Sequence, residues 1–132
     1  MNEQEAKGLI SRILQGSPVV RYVAIYRDGL LVSQQREAVI GASHSESDRY
    51  EELLVNPTLL KLAKQRGDID CGGLRFLVVG YGNFYQLIKE CGQGHISVCA
   101  ELEADPIAQL RLVESILGTL PGRTGGQQKQ NC

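Results

Sequence analysis

The sequence predicts an α+β fold: a single five-stranded antiparallel sheet with the two terminal helices on one face and a central helix on the other, in the order α-β-β-α-β-β-β-α. Three observations carry that prediction. Apolar residues recur at helical spacing near both ends of the chain and again in its middle. Five short runs rich in β-branched and aromatic residues lie between them. Those runs follow one another through tight turns, first as a pair and then as a triplet, which makes consecutive strands antiparallel.

Taken in order, Asn2 to Gln15 carries Ala6, Leu9, Ile10, Ile13 and Leu14 on one helical stripe, and Gly16-Ser17-Pro18 stops it. Val19 to Tyr26 and Leu30 to Ser33 read as strands. Asp28-Gly29 between them tolerates the positive φ of a type I′ turn. Gln34 to Ser47 has no apolar period. Asp48 to Val55 predicts a short helix, with Asn56 as cap and Pro57 as the first residue of a second helix to about Arg66. Proline has no N–H and disfavours helical geometry in the residue before it, so a break is expected there. Leu59, Leu60, Leu62 and Ala63 give the second helix its apolar side. Gly67 is expected to end it, with Asp68 to Gly73 as a loop. Leu74 to Gly80, Phe84 to Lys89 and His95 to Leu102 are the last three strands, joined at Tyr81-Gly82-Asn83 and Gly92-Gln93-Gly94. Asp105-Pro106 caps and opens a final helix through Ile107, Leu110, Val113, Ile116, Leu117 and Leu120, closed by Pro121-Gly122.

The 132 residues make one domain, expected over residues 1–120, and can bury roughly two-thirds of their unfolded surface without staples. Residues 121–132 form a Gly/Gln-rich tail expected to be disordered. Lys and Arg number 14 against 15 Asp and Glu, a net charge of -1, so no charge field favours nucleic acid or a membrane surface. Aromatic residues are 5%, which leaves few platforms for base stacking. No apolar run approaches the roughly 20 residues of a membrane span, and the N-terminus lacks a secretory plan. A cytoplasmic protein, with neither membrane insertion nor nucleic-acid binding, is the expectation.

No chemical motif survives inspection. Cys91-x-x-x-His95-x-x-x-Cys99 offers zinc-type donors, but Cys91 lies across a turn from the strand that carries the other two. These cysteines, with Cys71, read as buried or idle thiols, and Cys132 as an exposed one. Gly80-Tyr81-Gly82-Asn83 resembles half of a dinucleotide loop, but Tyr85 stands where the third glycine belongs and a strand follows. Ser43-His44-Ser45 with Glu46 and Asp48 is too local for a catalytic triad, whose members converge from separate parts of a fold. No catalytic residue, cofactor or metal is expected, and the chain reads as a non-enzyme.

Three stretches carry a family resemblance. Val23-Ala24-Ile25-Tyr26-Arg27-Asp28-Gly29-Leu30-Leu31-Val32-Ser33 is a strand of small and β-branched residues running through a D-G turn into a second strand. Arg75-Phe76-Leu77-Val78-Val79 through Ile96-Ser97-Val98-Cys99-Ala100 supplies the last three strands, and Ile107 to Leu117 a leucine-rich closing helix. In order and spacing, Glu5 to Leu120 resembles the roadblock family, the dynein light chain roadblock-type domains. The resemblance implies a non-catalytic module that dimerises by pairing the third strand of each protomer, with central helices side by side, as a platform for small GTPases or for motor, motility and scaffold complexes. It places Leu74, Arg75, Phe76, Leu77, Val78 and Val79 on an open edge, where Arg75 is the only charge and no proline or lysine protects the strand. A homodimer interface of these residues with Leu59 and Leu60 is expected, unless Asp68–Gly73 covers the edge. Arg49, Glu52, Lys61 and Lys64 are expected on the outer side of the central segment, facing a signalling partner. A small-ligand sensor of similar architecture is the alternative reading.

Overall fold

The computed structural model describes residues 1–36 and 45–118. Helix α1 spans Glu3–Gly16. Asn2 starts it with a capping box: its Oδ1 accepts from the Glu5 N–H at 2.7 Å, and its own N–H donates to Glu5 Oε1 at 2.8 Å. Strands β1 (Val20–Arg27) and β2 (Leu30–Gln35) meet at Asp28 and Gly29, whose φ angles are 53° and 80°. Both lie in the left-handed region that a D-G pair tolerates. The central segment comprises α2 (Ser45–Tyr50), a π-helical turn (Glu51–Val55) and α3 (Asn56–Asp70). Strands β3 (Leu77–Gly80), β4 (Tyr85–Cys91) and β5 (Gly94–Ala100) follow. Helix α4 (Pro106–Leu117) closes the described chain; Asp105 caps it, accepting from the Ile107 N–H at 3.0 Å.

All neighbouring strands are antiparallel, in the order β2-β1-β5-β4-β3. The register sorts the sheet into two unlike faces. One carries Val23, Ile25, Val32, Leu87, Ile96 and Val98. These pack with Leu9, Ile10 and Ile13 of α1 and Val113 and Leu117 of α4 into the main core. Burial of aliphatic side chains there is the chief stabilising term of the fold. The other face presents Tyr22, Ala24, Gln86, His95, Ser97 and Cys99 beneath the central segment. This is the predicted arrangement: terminal helices on one face, central helix on the other.

The loop between α1 and β1 is closed by one side chain. Arg36 donates from Nε to the Val20 carbonyl and from Nη2 to the Leu14 and Ser17 carbonyls, each at 2.7 Å. The Ser17 hydroxyl donates to Gln109 Oε1 at 2.7 Å, tying the same corner to α4. A guanidinium thereby satisfies carbonyls that a helix end otherwise leaves open.

Several boundaries differ from expectation. Pro57 does not break the central segment: Tyr50, Val55 and Asn56 all keep helical φ and ψ. The turn before the proline widens instead, and the Asn56 N–H bonds to the Glu51 carbonyl five residues back. That widening makes room for a ring that would otherwise press on the carbonyl four residues earlier. Asn56 is therefore no cap; it is fully buried. Gly67 does not end α3, which runs to Asp70. The chain reverses over Gly67 through Gly72 (φ 80°) and Gly73 (φ 93°), and the Cys71 and Gly73 N–H groups both bond to the Gly67 carbonyl at 3.0 Å. Because the helix is longer, the chain reaches the sheet late. Leu74, Arg75 and Phe76 precede β3 rather than belong to it, and Phe76 packs on the main core. Strand β5 ends at Ala100 and leaves Leu102 exposed; Ile107 is exposed at the start of α4. The expectations for Ser43, His44, Leu120, Pro121, Gly122, residues 121–132 and Cys132 lie outside the described residues.

A Cβ at Gly94 would collide with the Tyr26 carbonyl oxygen across the β1–β5 pair. Gly94→Ala is expected to destabilise the protein by about 3 kcal/mol, because the added methyl can be accommodated only by moving backbone. Urea denaturation checks this through the midpoint, with the slope unchanged.

Candidate functional site

The distinctive feature of the central segment is the inversion of its two faces. Its inward line is Glu52, Asn56, Leu60 and Gly67, all buried. Its outward residues include Tyr50, Leu54, Leu62 and Ile69, with exposures of 62%, 52%, 60% and 76%. Polar groups point in and large apolar groups point out.

The inward side is held by one carboxylate. Glu52 Oε1 lies 2.7 Å from His95 Nε2 and accepts from Asn56 Nδ2 at 2.9 Å. Glu52 Oε2 accepts from the Ser97 hydroxyl at 2.9 Å, and Ser97 Oγ in turn accepts from Gln86 Nε2 at 2.8 Å. Donors from β5 and from α3 converge on a fully buried group. Its charge is felt nearby. Burial first, and the Glu52 charge second, push the Tyr22 hydroxyl and the Cys99 thiol well above their ordinary values. The Tyr22 hydroxyl is buried beside this cluster but outside hydrogen-bond geometry. The Tyr26 ring packs at 5.9 Å from the His95 ring and closes the cluster along β1.

The outward side joins the end of β3. The Tyr81 hydroxyl, just past β3, donates to the Glu51 carboxylate at 3.1 and 3.3 Å. Burial and the Glu51 charge push Tyr81 up to about 12, while burial raises Glu51 against the opposing effect of that hydrogen bond. Among the described residues β3 pairs with β4 alone, so its other side is an open edge. Leu77 is half-buried and Val78 exposed. Asp68 to Asp70 are the end of α3, and beyond it the Cys71 and Gly73 N–H groups bond back to the Gly67 carbonyl.

The expected site residues divide accordingly. Leu77, Val78 and Val79 lie in the edge strand; Leu74, Arg75 and Phe76 do not, and the Arg75 guanidinium lies 5.4 Å from the Phe76 ring centre. Leu59 is half-buried, but Leu60 faces the sheet as a core residue, which corrects its assignment to an interface. Arg49 and Lys61 are both exposed. Lys64 is half-buried, 3.8 Å from both Asp68 and Glu90. Glu52 is the clear correction: it is the most deeply buried charge-bearing side chain of the segment, not a surface residue. The outer apolar residues Tyr50, Leu54 and Ile69 were missed. A period of four run straight through Pro57 finds Tyr50, Leu54 and Leu62 together.

His95 and Cys99 do share a strand face, while Cys91 belongs to the main core on the other. Among the described residues no group of three or more His, Cys, Asp or Glu side chains is arranged to hold a metal ion, and no helix is long and apolar enough to cross a membrane.

With this geometry the chain was compared with known proteins. No protein-family model matches the sequence, and no curated protein does. The likeness is one of structure. A roadblock/LC7 domain from Streptomyces avermitilis superposes with a TM-score of 0.61 at 22% identity, over 83% of this chain and 92% of that one. The gliding protein MglB of Thermus thermophilus gives 0.62 at 15%, over 86% and 82%. A structure of MglB in a tetrameric arrangement gives the same values. The chain has the roadblock fold.

Glu51 generates a pH signature. Its folded-state value is raised, so the folded protein holds that proton more tightly than the unfolded chain. Its contribution therefore favours folding below the carboxylate range and fades as pH rises through it. Glu51→Gln removes the titration. The variant's stability relative to the native protein is expected to be higher at pH 7 than at pH 4, by no more than about 0.5 kcal/mol because the group is partly solvated. Paired thermal melts at the two pH values check the sign.

Proposed function

We propose that this protein is a non-catalytic, dimeric interaction module that regulates or scaffolds a small GTPase or a related signalling or motility complex. The observation that carries the reading is the exposed apolar outer line of the central segment beside an open sheet edge. Monomers rarely leave contiguous apolar surface or an uncharged edge strand uncovered. A second copy related by a two-fold axis covers both at once: β3 pairs with its counterpart, and the central helices lie side by side. The roadblock fold, and a neighbour described in a tetrameric arrangement, support self-association as the means.

The revised interface consists of Leu77, Val78 and Val79 with Leu54, Leu62 and Ile69. Glu52 and Leu60 leave the proposed contact surfaces, because neither is accessible. The partner surface keeps Arg49 and Lys61; Lys64 is less available, since it lies near Asp68 and Glu90. A ligand-sensor reading gains nothing from the sheet face beneath the central segment, which buried side chains occupy.

Sedimentation equilibrium at micromolar concentration is expected to show a dimer. Leu54→Glu with Leu62→Glu should raise its dissociation constant at least about a hundredfold, with the circular dichroism spectrum unchanged. A native protein that sediments as a monomer refutes the reading. For the partner, tagged protein is expected to retain a small GTPase from its native extract in a manner that depends on the bound GTP or GDP analogue. Arg49→Glu with Lys61→Glu should lower recovery at least about tenfold at unchanged dimer content. Equal recovery excludes that surface.

A further inference from the structure

We infer that the Glu52 cluster is a register latch: it fixes the rotation of the segment before Pro57, and so keeps Tyr50, Leu53 and Leu54 aligned with Leu62 on the outer face. For its effect on assembly the inference rests on the dimer reading above; the latch itself does not.

Helix geometry makes the case. An α-helix advances about 100° per residue, so the two four-residue steps from Glu52 to Leu60 would carry Glu52 roughly 80° off the line of Leu60. Yet Glu52 and Leu60 are both buried on the sheet. The π turn between them takes up the excess rotation, and its signature is the Asn56 N–H bonded to the Glu51 carbonyl. An inward Glu52 and a widened turn therefore imply one another. A π turn is less favourable than an α turn and persists where something holds it. Pro57 contributes, because it lacks an N–H and crowds the preceding turn. The cluster contributes more specifically. His95, Ser97 and Asn56 fix both carboxylate oxygens from β5 and from α3, so they define where Glu52 stands in rotation as well as in depth.

The outer consequence follows directly. Tyr50 precedes the π turn, Leu53 and Leu54 lie within it, and Leu62 and Ile69 come after it. Returning the turn to α geometry rotates the first group against the second and splits the outer apolar line. Glu51 would turn with it and leave Tyr81. Glu52 touches no partner; it is a positioning residue for the surface that does.

Through-hydrogen-bond NMR couplings read the register in the full chain. In the native protein the Asn56 amide nitrogen is expected to couple to the Glu51 carbonyl carbon. Pro57→Ala keeps the cluster, so that coupling should remain. Glu52→Ala combined with Pro57→Ala should move the coupling to the carbonyl of position 52, with couplings across β1 and β5 intact. Self-association of the double variant should weaken at least about tenfold while Pro57→Ala associates like the native protein. A shifted coupling in Pro57→Ala alone overturns the latch, because the proline would then set the register. So does a double variant that retains the Glu51 coupling, and so does loss of the sheet couplings, which would make the cluster a support for the whole fold. If the native protein proves monomeric, the dimer reading fails and the couplings still decide the latch.

Discussion

A single buried carboxylate joins the two halves of this structure. The terminal helices dock on an aliphatic sheet face, where burial of apolar side chains is the chief stabilisation and the polar ties lie at the margin. The central segment docks on a polar face, and there Glu52 accepts from His95, Asn56 and Ser97. Donors so arranged leave little rotational freedom. The cost is visible in the groups turned to serve it. Asn56 and Gln86 both present their amide nitrogens, and their buried oxygens go without partners. An unpaired buried oxygen costs free energy, so this network is not the most stable way to attach a helix. What it supplies is a defined position, which an apolar contact of similar area would not.

That position explains the inverted surface. With Glu52 and Asn56 taking the inward positions before Leu60, Leu53, Leu54 and Leu62 are left facing out. The alternating apolar and polar logic of a helix on a sheet is reversed, and the exposed line of Tyr50, Leu54 and Leu62 is its direct result. A polar anchor inside and an apolar surface outside are thus two aspects of one rotational setting. The π turn at Glu51–Val55 is the local feature that makes the setting geometrically available, and Pro57 is the residue that makes it tolerable.

Residues with one dominant local preference are legible in the sequence. Asp28-Gly29 turns as a left-handed pair, Asp105-Pro106 opens a capped helix, and the alternation along β5 puts Ile96 and Val98 on one face and His95 and Cys99 on the other. Such signals depend on neighbours a few residues away, and so they survive folding. The central segment is not legible in this way, because tertiary contacts override its local signals. Pro57 signals a break, but the wider turn before it preserves the helix. Gly67 signals a stop, but its missing Cβ serves the backbone of Gly73, which packs where that atom would be, 3.0 Å away. Apolar spacing assigns Leu59, Leu60, Leu62 and Ala63 to one inward side, whereas only Leu60 is buried. Periodicity locates an apolar stripe but cannot tell inside from outside when a carboxylate holds the other face.

The two edges of the sheet are not equivalent, and the difference bears on how the protein would assemble. Strand β2 is backed by α1, and Arg36 just beyond it closes the α1–β1 corner. Of its exposed positions, Ser33 and Gln34 are polar and only Leu30, at the turn end, is apolar. Strand β3 lies at the opposite edge, beside β4, against which α3 packs. The Tyr81 hydroxyl bound to Glu51 joins the end of β3 to the π turn. An edge strand alone offers a few backbone hydrogen bonds and little specificity, since any extended chain can take them. An edge strand beside an apolar helix face selects a partner that brings both elements in matching orientation, and a second copy of the same chain meets that condition by symmetry. This is why the proposed dimer is built on the β3 side rather than the β2 side. It also follows that the rotational setting of the central segment matters beyond its own helix, because the edge and the helix face can be covered together only while they keep their relative placement.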